Sequence, residues 1–244
     1  MSPMGEGEEA GGLAAGHAAG HAATQSRLSA FGGQFPVILS SPSGGGKTTI
    51  ARLLLERRND VGYSVSCTTR APRAGELEGR DYYFLSRDEF IRRREAGDFA
   101  ECAEVHGNLY GTLKSEISRV LATGKHVIMD IDVQGARQMR RAFGDSVTVF
   151  VLPPSGEVLL QRLRNRKTES PQQLIARLNS ALHELRAVEE YEYVVVNDDL
   201  AAAVQRVGAI LDAEVVSRER VAGLRHSVEA LIGRLEQEIT HTSR

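Results

Sequence analysis

The sequence has few cysteines, no tryptophan and no long apolar run. Its 244 residues include only two cysteines, Cys67 and Cys102, which lie far apart and form no CxxC pair. This scarcity excludes a disulfide framework and a cysteine-ligated zinc site, and it is typical of a reducing compartment. No stretch approaches about 18 apolar residues, and no basic segment followed by an apolar one opens the chain. We therefore expect a cytoplasmic protein without a membrane span or a signal peptide.

An excess of charge of one sign is also absent. The chain has 30 basic and 32 acidic residues, for a formal net charge of -2. This balance does not favour nucleic acid or an anionic membrane as a partner, and an RNA-binding surface is the weakest function that we consider. Hydrophobic residues make up 41% of the chain, which is enough to form a core. The composition predicts a soluble globular protein whose basic sites are local.

The first 34 residues are rich in glycine and alanine and contain a short repeat, "AGHAAGHA". Such a segment has too little apolar surface to fold by itself, so we expect residues 1–34 to form a disordered extension. His17 and His21 have the chemistry to hold a metal, but two histidines in such a tail are more often incidental. We expect the fold to start near Phe35.

The segment "LSSPSGGGKTT", residues 39–49, nearly matches a phosphate-binding loop. That pattern requires glycine, four residues and Gly-Lys-Ser/Thr, because successive backbone N–H groups surround a polyphosphate while a lysine and a hydroxyl complete the site. Gly46, Lys47 and Thr48 are present, but Ser41 stands in place of the first glycine. The alternative is a glycine-rich loop that binds nothing.

The flanking sequence favours the phosphate site. An apolar run at 35–39 predicts a buried strand, and residues 49–58 carry a helical pattern, so the loop joins a strand to a helix as the motif requires. Ser41 precedes Pro42, and a residue before proline is held in the extended region with negative φ. The first position of this loop therefore does not need the positive φ that glycine provides.

The rest of the chain alternates predicted strands and helices, which indicates an α/β fold with a parallel sheet flanked by helices. The segment between Tyr63 and Thr112 differs, because it is dense in polar, tyrosine and arginine residues with turn signals. We interpret it as a strand-rich insertion, spanning about 66–118, that stands off the main sheet.

Two further helices, predicted within about 155–188 and joined by a basic turn, form a plausible lid. Arg162 and Arg166 lie four residues apart and therefore share one face of the first helix, and the second helix contains Arg177. A solvated basic face is the alternative interpretation of these arginines.

Polar residues end two of the predicted strands. "HVIMDID" ends with Asp130 and Asp132, and carboxylates at the end of a central strand lie beside the phosphate loop in folds of this type. "YVVVNDD" supplies a last strand that ends at Asn197. Each of these residues has an alternative role as a strand-end cap or turn residue.

Apolar residues at helical spacing continue to the end of the chain, and we expect a helical tail over 213–244. Leu224, Val228, Leu231 and Leu235 fit one helix face. This helix is either a self-association surface, which would make the protein a homo-oligomer, or a stray amphipathic tail.

Together these segments resemble the guanylate kinase family of phosphate-loop nucleoside monophosphate kinases. The motifs that carry the resemblance follow one another in the family's order over residues 35 to about 212: "SVSCTTRAPRAGELEGRDYYF", "ECAEVHGNLYGT", "MDIDVQGA", "LPPS" and "VVVNDD". The resemblance implies a three-part domain with a core, a nucleotide-acceptor insertion and a helical lid. It implies the Mg²⁺-dependent reaction of ATP and GMP to ADP and GDP, in purine nucleotide metabolism and GMP recycling.

On the acceptor side, the resemblance implies that Ser66, Glu101 and Thr112 read guanine. Guanine presents N1–H and an exocyclic NH₂ that one carboxylate accepts side by side, and an O6 that accepts from a hydroxyl, whereas adenine presents a lone pair at N1. Asp132 matches a position near the guanine amino group. The positions implied to hold the GMP phosphate are Arg70, Arg73, Tyr82 and Tyr110.

On the donor side, the resemblance implies that the loop backbone surrounds the ATP phosphates, that Lys47 bridges the β and γ oxygens and that Thr48 binds Mg²⁺. Asp130 matches the carboxylate on the magnesium side, acting through water. Lys47 and the lid arginines Arg162, Arg166 and Arg177 are the implied catalytic residues. The implied ATP-binding residues are Ser41, Pro42, Ser43, Gly44, Gly45, Gly46, Lys47, Thr48, Thr49 and Asn197.

Two rival functions remain open at this point. Guanylate-kinase-like scaffold modules bind phosphorylated peptides without catalysis, but they have no need of Lys47, Thr48 and a cationic lid. A kinase for another acceptor, such as a phosphorylated ribose, has no need of Glu101 and Ser66. The use of dGMP as an additional acceptor is also left open by the sequence.

Overall fold

The structure, a computed structural model, describes residues 33–105, 107–164 and 171–243. It divides into two units: the described residues between 33 and 224 belong to one, and the described part of the other is residues 225–243. No helix in these described stretches combines the length and the hydrophobicity that a bilayer crossing demands. The expected disordered extension, with His17 and His21, lies outside the described residues except at its last two positions.

The described elements follow one another along the chain as strands and helices, and their bounds are these: β1 (Pro36–Ser40), α1 (Lys47–Arg57), β2 (Val61–Tyr63), β3 (Cys67–Thr68), β4 (Tyr83–Phe84), α2 (Arg87–Glu95), β5 (Phe99–Val105), β6 (Asn108–Leu113), α3 (Lys114–Leu121), β7 (His126–Asp130), α4 (Val133–Ala142), β8 (Val147–Leu152), α5 (Gly156–Arg164), α6 (Pro171–Arg186), β9 (Tyr193–Val196), α7 (Leu200–Val215) and α8 (Leu224–Thr242). A short 3₁₀ helix, Val188–Glu190, precedes β9.

The main sheet contains five parallel strands in the order β2-β7-β1-β8-β9. Its strands read as apolar runs because helices cover both faces. Val37 and Leu39 belong to a core that includes residues of α1 and α7, whereas Ile38 points to the other face and joins a core with residues of α3 and α4. The predicted α/β fold with a parallel sheet flanked by helices is confirmed.

A second sheet of four strands, in the order β4-β3-β6-β5, is formed by the segment between β2 and α3. β6 pairs antiparallel with β3 and with β5. Phe90 of α2 stacks on Phe99 of β5 with ring centroids 4.3 Å apart, in a small core of its own. The β5–β6 register shifts between Phe99 and Glu101, which marks a β-bulge at this point of the strand.

The two helices of the predicted lid are α5 and α6, and the residues between them, 165–170, lie outside the described residues. Leu159 and Leu163 of α5 pack against Ala181 of α6. The hydroxyl of Ser155 accepts from the backbone N–H of Val158 (3.3 Å) and so caps the start of α5.

In the second unit, the described residues contain α8. Its side chains Val228, Leu231, Leu235 and Ile239 are between 41% and 65% exposed, and their spacing places them along one stripe of the helix. Arg234 and Glu238 form an ion pair one turn apart (3.5 Å).

Candidate active site

The phosphate loop joins β1 to α1 at the carboxyl end of the central strand. Gly44 and Gly46 have φ angles of 85° and 97°, a left-handed backbone that residues with side chains rarely adopt. The N–H of Gly45 donates to the carbonyl of Pro42 (2.8 Å) and closes the turn. The glycines therefore lie where the backbone of the loop requires them.

Ser41, the departure from the motif, is buried and is accommodated by Gly45. Its side chain is almost fully enclosed, at 1% exposure, and its hydroxyl donates to the carbonyl of Pro42 (3.0 Å). A Cβ built on Gly45 would lie 2.6 Å from the Cβ of Ser41. The serine thus fills the space that a side chain at position 45 would need, and the loop keeps its turn.

Asn197, which follows β9, supports the loop. Its amide nitrogen donates to the carbonyl of Gly45 (2.9 Å), and its side chain is buried at 5% exposure. A Cβ on Gly46 would lie 2.4 Å from that nitrogen. The contact of Asn197 in the structure is therefore with the loop backbone, and its assignment to ATP binding stays a prediction.

Thr48, Asp130 and Tyr63 form a polar group where α1 meets the ends of β2 and β7. The Thr48 hydroxyl donates to one Asp130 carboxylate oxygen (2.5 Å), and the Tyr63 hydroxyl lies 3.3 Å from the other. Partial desolvation of Tyr63, which is 40% exposed, and the Asp130 charge raise the pKa of its hydroxyl. The described residues contain no cluster of three or more histidine, cysteine or acidic side chains suited to a metal. A metal at this point would therefore need further ligands from water or from a bound molecule.

Two of the predicted lid arginines reach the phosphate loop. Arg177 donates to the Ser43 hydroxyl (3.2 Å) and to the carbonyl of Leu163 (2.8 Å), and so joins α5, α6 and the loop. Arg162 has a guanidinium nitrogen 3.5 Å from the carbonyl of Gly44, and its Cβ packs close to that glycine. The third predicted arginine, Arg166, lies outside the described residues.

Glu184 also contacts the loop, although nothing in the sequence singled it out. Its carboxylate accepts from the backbone N–H of Ser43 (3.1 Å), and burial raises its pKa. Glu184 lies two helical turns after Arg177, so both project from the same face of α6. Ser43 therefore contacts two charged side chains of this helix face: Arg177 through its hydroxyl and Glu184 through its backbone N–H.

A cavity of about 400 Å³ opens between the loop and the second sheet. Lys47 and Thr48 line it from the donor side, and Asp130 and Asp132 from the end of β7. Four predicted acceptor residues line it from the opposite side: Ser66, Tyr82, Glu101 and Tyr110. The predicted donor and acceptor groups thus face one shared space.

Three predicted guanine-reading residues form a continuous hydrogen-bonded chain. Thr112 donates to the Glu101 carboxylate (2.7 Å), and the Ser66 and Thr112 hydroxyls lie 3.1 Å apart. Glu101 of β5 and Thr112 of β6 are direct partners in the antiparallel register, and Ser66 precedes β3 on the other side of β6. Strand pairing therefore assembles this group from three separate segments.

The Glu101 carboxyl has a shifted pKa. Burial, at 7% exposure, raises the pKa to about 7, and the nearby Asp132 charge acts in the same direction. The hydrogen bond from Thr112 opposes the shift, because it favours the ionised carboxylate. Glu101 can therefore be either a proton carrier or a hydrogen-bond acceptor near neutral pH.

The residues predicted to hold the GMP phosphate lie beside the hydrogen-bonded group of Ser66, Thr112 and Glu101. Arg70 makes two hydrogen bonds to the Glu76 carboxylate (2.9 Å each) and lies over the Tyr82 ring, 5.3 Å from its centroid. That pairing lowers the pKa of Glu76 to about 2. The Tyr82 and Tyr110 rings meet edge to face, with centroids 6.1 Å apart. Arg73 is exposed, and its backbone N–H donates to Glu76 (2.7 Å).

Two atoms in this region lack a partner among the residues that the structure describes. The Ser64 hydroxyl and the Arg70 Nε are buried and make no hydrogen bond there, and Ser64 lines the cavity. Buried polar atoms without a partner are rare in folded proteins. Unsatisfied groups at this place suit a polar ligand.

Asp132 caps α4, the alternative considered from the sequence, and also lines the cavity. Its carboxylate accepts from the backbone N–H of Gly135 (2.8 Å). A Cβ on Gly135 would lie 3.1 Å from a Glu101 carboxylate oxygen, so the absence of a side chain there leaves room for Glu101. The two roles of Asp132 are therefore compatible.

Sequence reasoning missed Tyr63, Ser64 and Glu184. Tyr63 ends β2 and Ser64 is the first residue of the quoted acceptor motif, so their position next to that motif was the available signal. Glu184 carried no such signal, because only the docking of α6 brings it to the loop.

Comparison with known proteins agrees with this geometry. The family model described as guanylate kinase matches residues 33–214. Curated guanylate kinases from Clostridium perfringens and Symbiobacterium thermophilum are 46% and 49% identical to this chain; the matches cover 76% and 73% of it, and 86% and 84% of the relatives. The crystal structure of guanylate kinase from Anaplasma phagocytophilum is similar with a TM-score of 0.67 and 37% identity, over 83% of this chain and 96% of that one. By sequence and by fold, the chain belongs to the guanylate kinase family.

Proposed function

We propose that this enzyme transfers the γ-phosphoryl group of ATP to GMP and releases ADP and GDP. The observation that supports this most directly is the shared cavity, in which Lys47 and Thr48 of a formed phosphate loop face Ser66 and Glu101. A binding module for phosphorylated peptides needs only the acceptor side, so the formed donor side favours the enzyme.

Guanine recognition follows from the Glu101 group. The ionised Glu101 carboxylate accepts from guanine N1–H and from the exocyclic NH₂, and the hydrogen bond from Thr112 fixes the orientation of that carboxylate. A hydroxyl of the same hydrogen-bonded group donates to guanine O6. Adenine would place a lone pair against Glu101. Since a buried hydrogen-bonding site rejects a ligand that leaves it unpaired by up to roughly 10⁴ to 10⁵, these groups are sufficient for strong base selectivity.

The GMP phosphate is assigned to Arg70, Arg73, Tyr82 and Tyr110. Arg70 Nε is a buried donor without a partner among the described residues. Glu76 already pairs with the other nitrogens of Arg70, so it holds the guanidinium in place over the Tyr82 ring. The tyrosine hydroxyls add donors that suit a phosphate dianion.

The transfer step forms a bond between a GMP phosphate oxygen and the γ-phosphorus and breaks the bond between that phosphorus and the ADP oxygen. The attacking oxygen is already anionic, so we assign no general base. The work of the chain is positioning and charge neutralisation. Lys47 provides positive charge at the loop, and Arg162, Arg166 and Arg177 are the proposed cations on the lid side.

Mg²⁺ is the proposed metal, and the residues at the loop fit it. The Thr48 hydroxyl offers a hard oxygen ligand, and the Asp130 carboxylate beside it would hold the ion through water. Mg²⁺ in kinases takes few protein ligands because phosphates and water supply the rest. When bound, it neutralises charge on the ATP phosphate oxygens. The Tyr63 hydroxyl keeps the second Asp130 oxygen in position.

We also propose a cytoplasmic location and self-association through α8, whose exposed apolar stripe is the basis for the second statement. Sedimentation velocity of the wild-type protein and of a Leu231→Glu, Leu235→Glu variant tests it. A concentration-dependent dimer that the double substitution abolishes is expected, and a monomeric wild type would contradict it.

The experiment for the function is ATP-dependent ADP formation with GMP, dGMP, IMP, AMP, CMP and UMP, each with and without Mg²⁺. We expect turnover with GMP far above AMP, CMP and UMP, and none without the metal. The dGMP arm decides whether the 2′-hydroxyl is required. Binding of GMP without ADP formation would contradict the proposal and favour a phosphopeptide-type module.

A further inference from the structure

Gln138 of α4 makes a two-point contact with β5 that no function described so far requires. Its side-chain amide nitrogen donates to the carbonyl of Cys102 (3.0 Å), and its amide oxygen accepts from the backbone N–H of Cys102 (3.0 Å). β5 is the edge strand of the four-stranded sheet, so its outer backbone groups have no neighbouring strand among the described elements. Gln138 supplies both partners that such a strand would have given to Cys102.

The contact is adjacent to the guanine-reading carboxylate. Cys102 directly follows Glu101 in β5. The β-bulge, between Phe99 and Glu101, lies directly before Glu101. A bulge re-aims the side chains beside it and loosens the local ladder. Glu101 is therefore held on one side by an irregular strand segment and on the other by the Gln138 contact.

α4 brings the contact into register with the rest of the site. Asp132 caps the helix, Gly135 leaves the space that the Glu101 carboxylate occupies, and Gln138 lies one turn further along the same face. α4 follows directly from the end of β7, which carries Asp130. The first residues of α4 therefore lie beside Asp130, on the proposed metal side of the cavity. Gln138, further along the helix, lies beside Glu101, on the proposed guanine side.

We propose that Gln138 is a positioning residue for guanine specificity, which fixes the β5 backbone at Cys102 and thereby aims the Glu101 carboxylate at the base. This inference rests on the proposed function of Glu101. Without the contact, β5 keeps its pairing with β6 and the packing of Ala100 against α4, but it loses both backbone hydrogen bonds at Cys102, so the position of Glu101 in the cavity is less closely fixed. ATP binding, which does not involve β5, is unaffected.

The test compares Gln138→Met with Arg137→Met. Gln138→Met keeps the length of the side chain and removes both hydrogen bonds. Arg137, the preceding residue of α4, makes two hydrogen bonds to Glu190 (2.7 and 2.5 Å), so its replacement also removes two bonds from the helix but none from β5. The readouts are KM for GMP, KM for ATP, and the ratio of kcat/KM for GMP to that for IMP, which lacks the 2-amino group.

For Gln138→Met we expect KM for GMP to rise roughly tenfold and the GMP-to-IMP ratio to fall by a similar factor, with KM for ATP within about twofold of wild type. Arg137→Met is expected to leave all three unchanged. Gln138→Glu keeps the acceptor for the Cys102 N–H and loses the donor, so it should lie between wild type and Gln138→Met. It also serves as the test variant if Gln138→Met does not fold.

A Gln138 variant with the wild-type GMP-to-IMP ratio overturns the inference, as does equal loss in the Arg137 control. A wild-type enzyme that does not prefer GMP over IMP or AMP overturns the proposed function and this inference with it. Preference in the wild type without a change in the variants overturns this inference alone.

Discussion

The phosphate loop and the acceptor pocket border the same cavity, yet they are built in different ways. The loop is one contiguous segment, residues 41–48, and the donors implied for it are mainly backbone N–H groups directed by Gly44 and Gly46. The pocket uses side chains from separate segments, and strand register brings Ser66, Glu101 and Thr112 together. The donor side therefore depends on backbone conformation, whereas the acceptor side depends on side-chain identity and sheet pairing.

The largest effect is expected where the loop itself contributes a side chain. Lys47→Met should lower kcat by about 10³, because it removes the loop cation that lines the cavity and that we propose to bind the ATP phosphates. Steady-state ADP formation measures it. Arg52→Met, which removes an exposed cation from the same helix, is the matched control and should not change kcat. A Lys47→Met enzyme within tenfold of wild type would contradict the account.

On the acceptor side, replacing the Glu101 carboxylate by an amide of the same size should lower the efficiency with GMP. Glu101→Gln should lower kcat/KM for GMP by roughly 10² to 10³ and leave KM for ATP unchanged, because the amide presents NH₂ to guanine donors. Glu104→Gln, on the same strand and exposed, is the control. Parallel loss of ATP affinity in Glu101→Gln would mean that the two sides are not separable.

The pKa of Glu101, raised to about 7, gives the acceptor side a pH dependence near neutrality. GMP needs the ionised carboxylate, so KM for GMP should rise roughly tenfold between pH 8 and pH 6. The unliganded protein should change in the opposite sense: a raised carboxyl pKa stabilises the fold at low pH, and this contribution is lost as pH rises through about 7. Titration of KM and of the unfolding free energy measures both.

The GMP phosphate also titrates in this range, and Glu101→Gln separates the two groups. Any pH dependence of KM for GMP that the variant retains belongs to the phosphate. An identical pH profile in the wild type and in the variant would contradict the assignment to Glu101.

The steric pairing within the loop is open to a double-mutant cycle. Gly45→Ala should raise KM for ATP about fivefold, because the new Cβ would lie 2.6 Å from that of Ser41. Gly45 is not among the glycines with positive φ, so the backbone itself allows alanine. Ser41→Gly should be nearly neutral alone and should restore much of the loss in the double variant. Additive effects would show that Ser41 and Gly45 do not share this space.

The smallest effect is expected at the contact of the lid with the loop. Glu184→Ala should raise KM for ATP about threefold, since Ser43 loses the acceptor of its N–H, while Glu184→Gln keeps an acceptor and should be close to wild type. Glu192→Ala is the control, because Glu192 accepts from the backbone N–H of Thr148 (2.7 Å), away from the loop. A change in KM for GMP instead of ATP would contradict the assignment.

The contrast between the two regions also explains what the sequence revealed. The loop is specified by consecutive residues, so its position between a strand and a helix was predictable from the sequence. The packing of Ser41 against Gly45 was not, because it depends on a distance between atoms that only the folded structure provides. The apolar runs of β1, β7 and β8 predicted buried parallel strands, and the structure confirms the parallel sheet.

The acceptor residues were identified through the family resemblance, and their proximity is a result of the β5–β6 register, which the sequence does not display. Gln138 and Glu184 were not predicted, because each acts through a contact between elements far apart in the chain. Gln138 meets β5 only because α4 lies along that edge, and Glu184 meets Ser43 only because α6 docks on the loop.

The most direct test of the account is a single-turnover reaction of γ-³²P-labelled ATP with excess enzyme, Mg²⁺ and GMP, in which the labelled products are separated. Transfer within one shared cavity predicts that the label appears in the β-phosphate of GDP, in an amount equal to the ADP formed, and that Glu101→Gln reduces this transfer while ATP binding is retained. Label in inorganic phosphate instead of GDP, or no release of label from ATP while GMP is bound, would contradict a cavity that joins donor and acceptor.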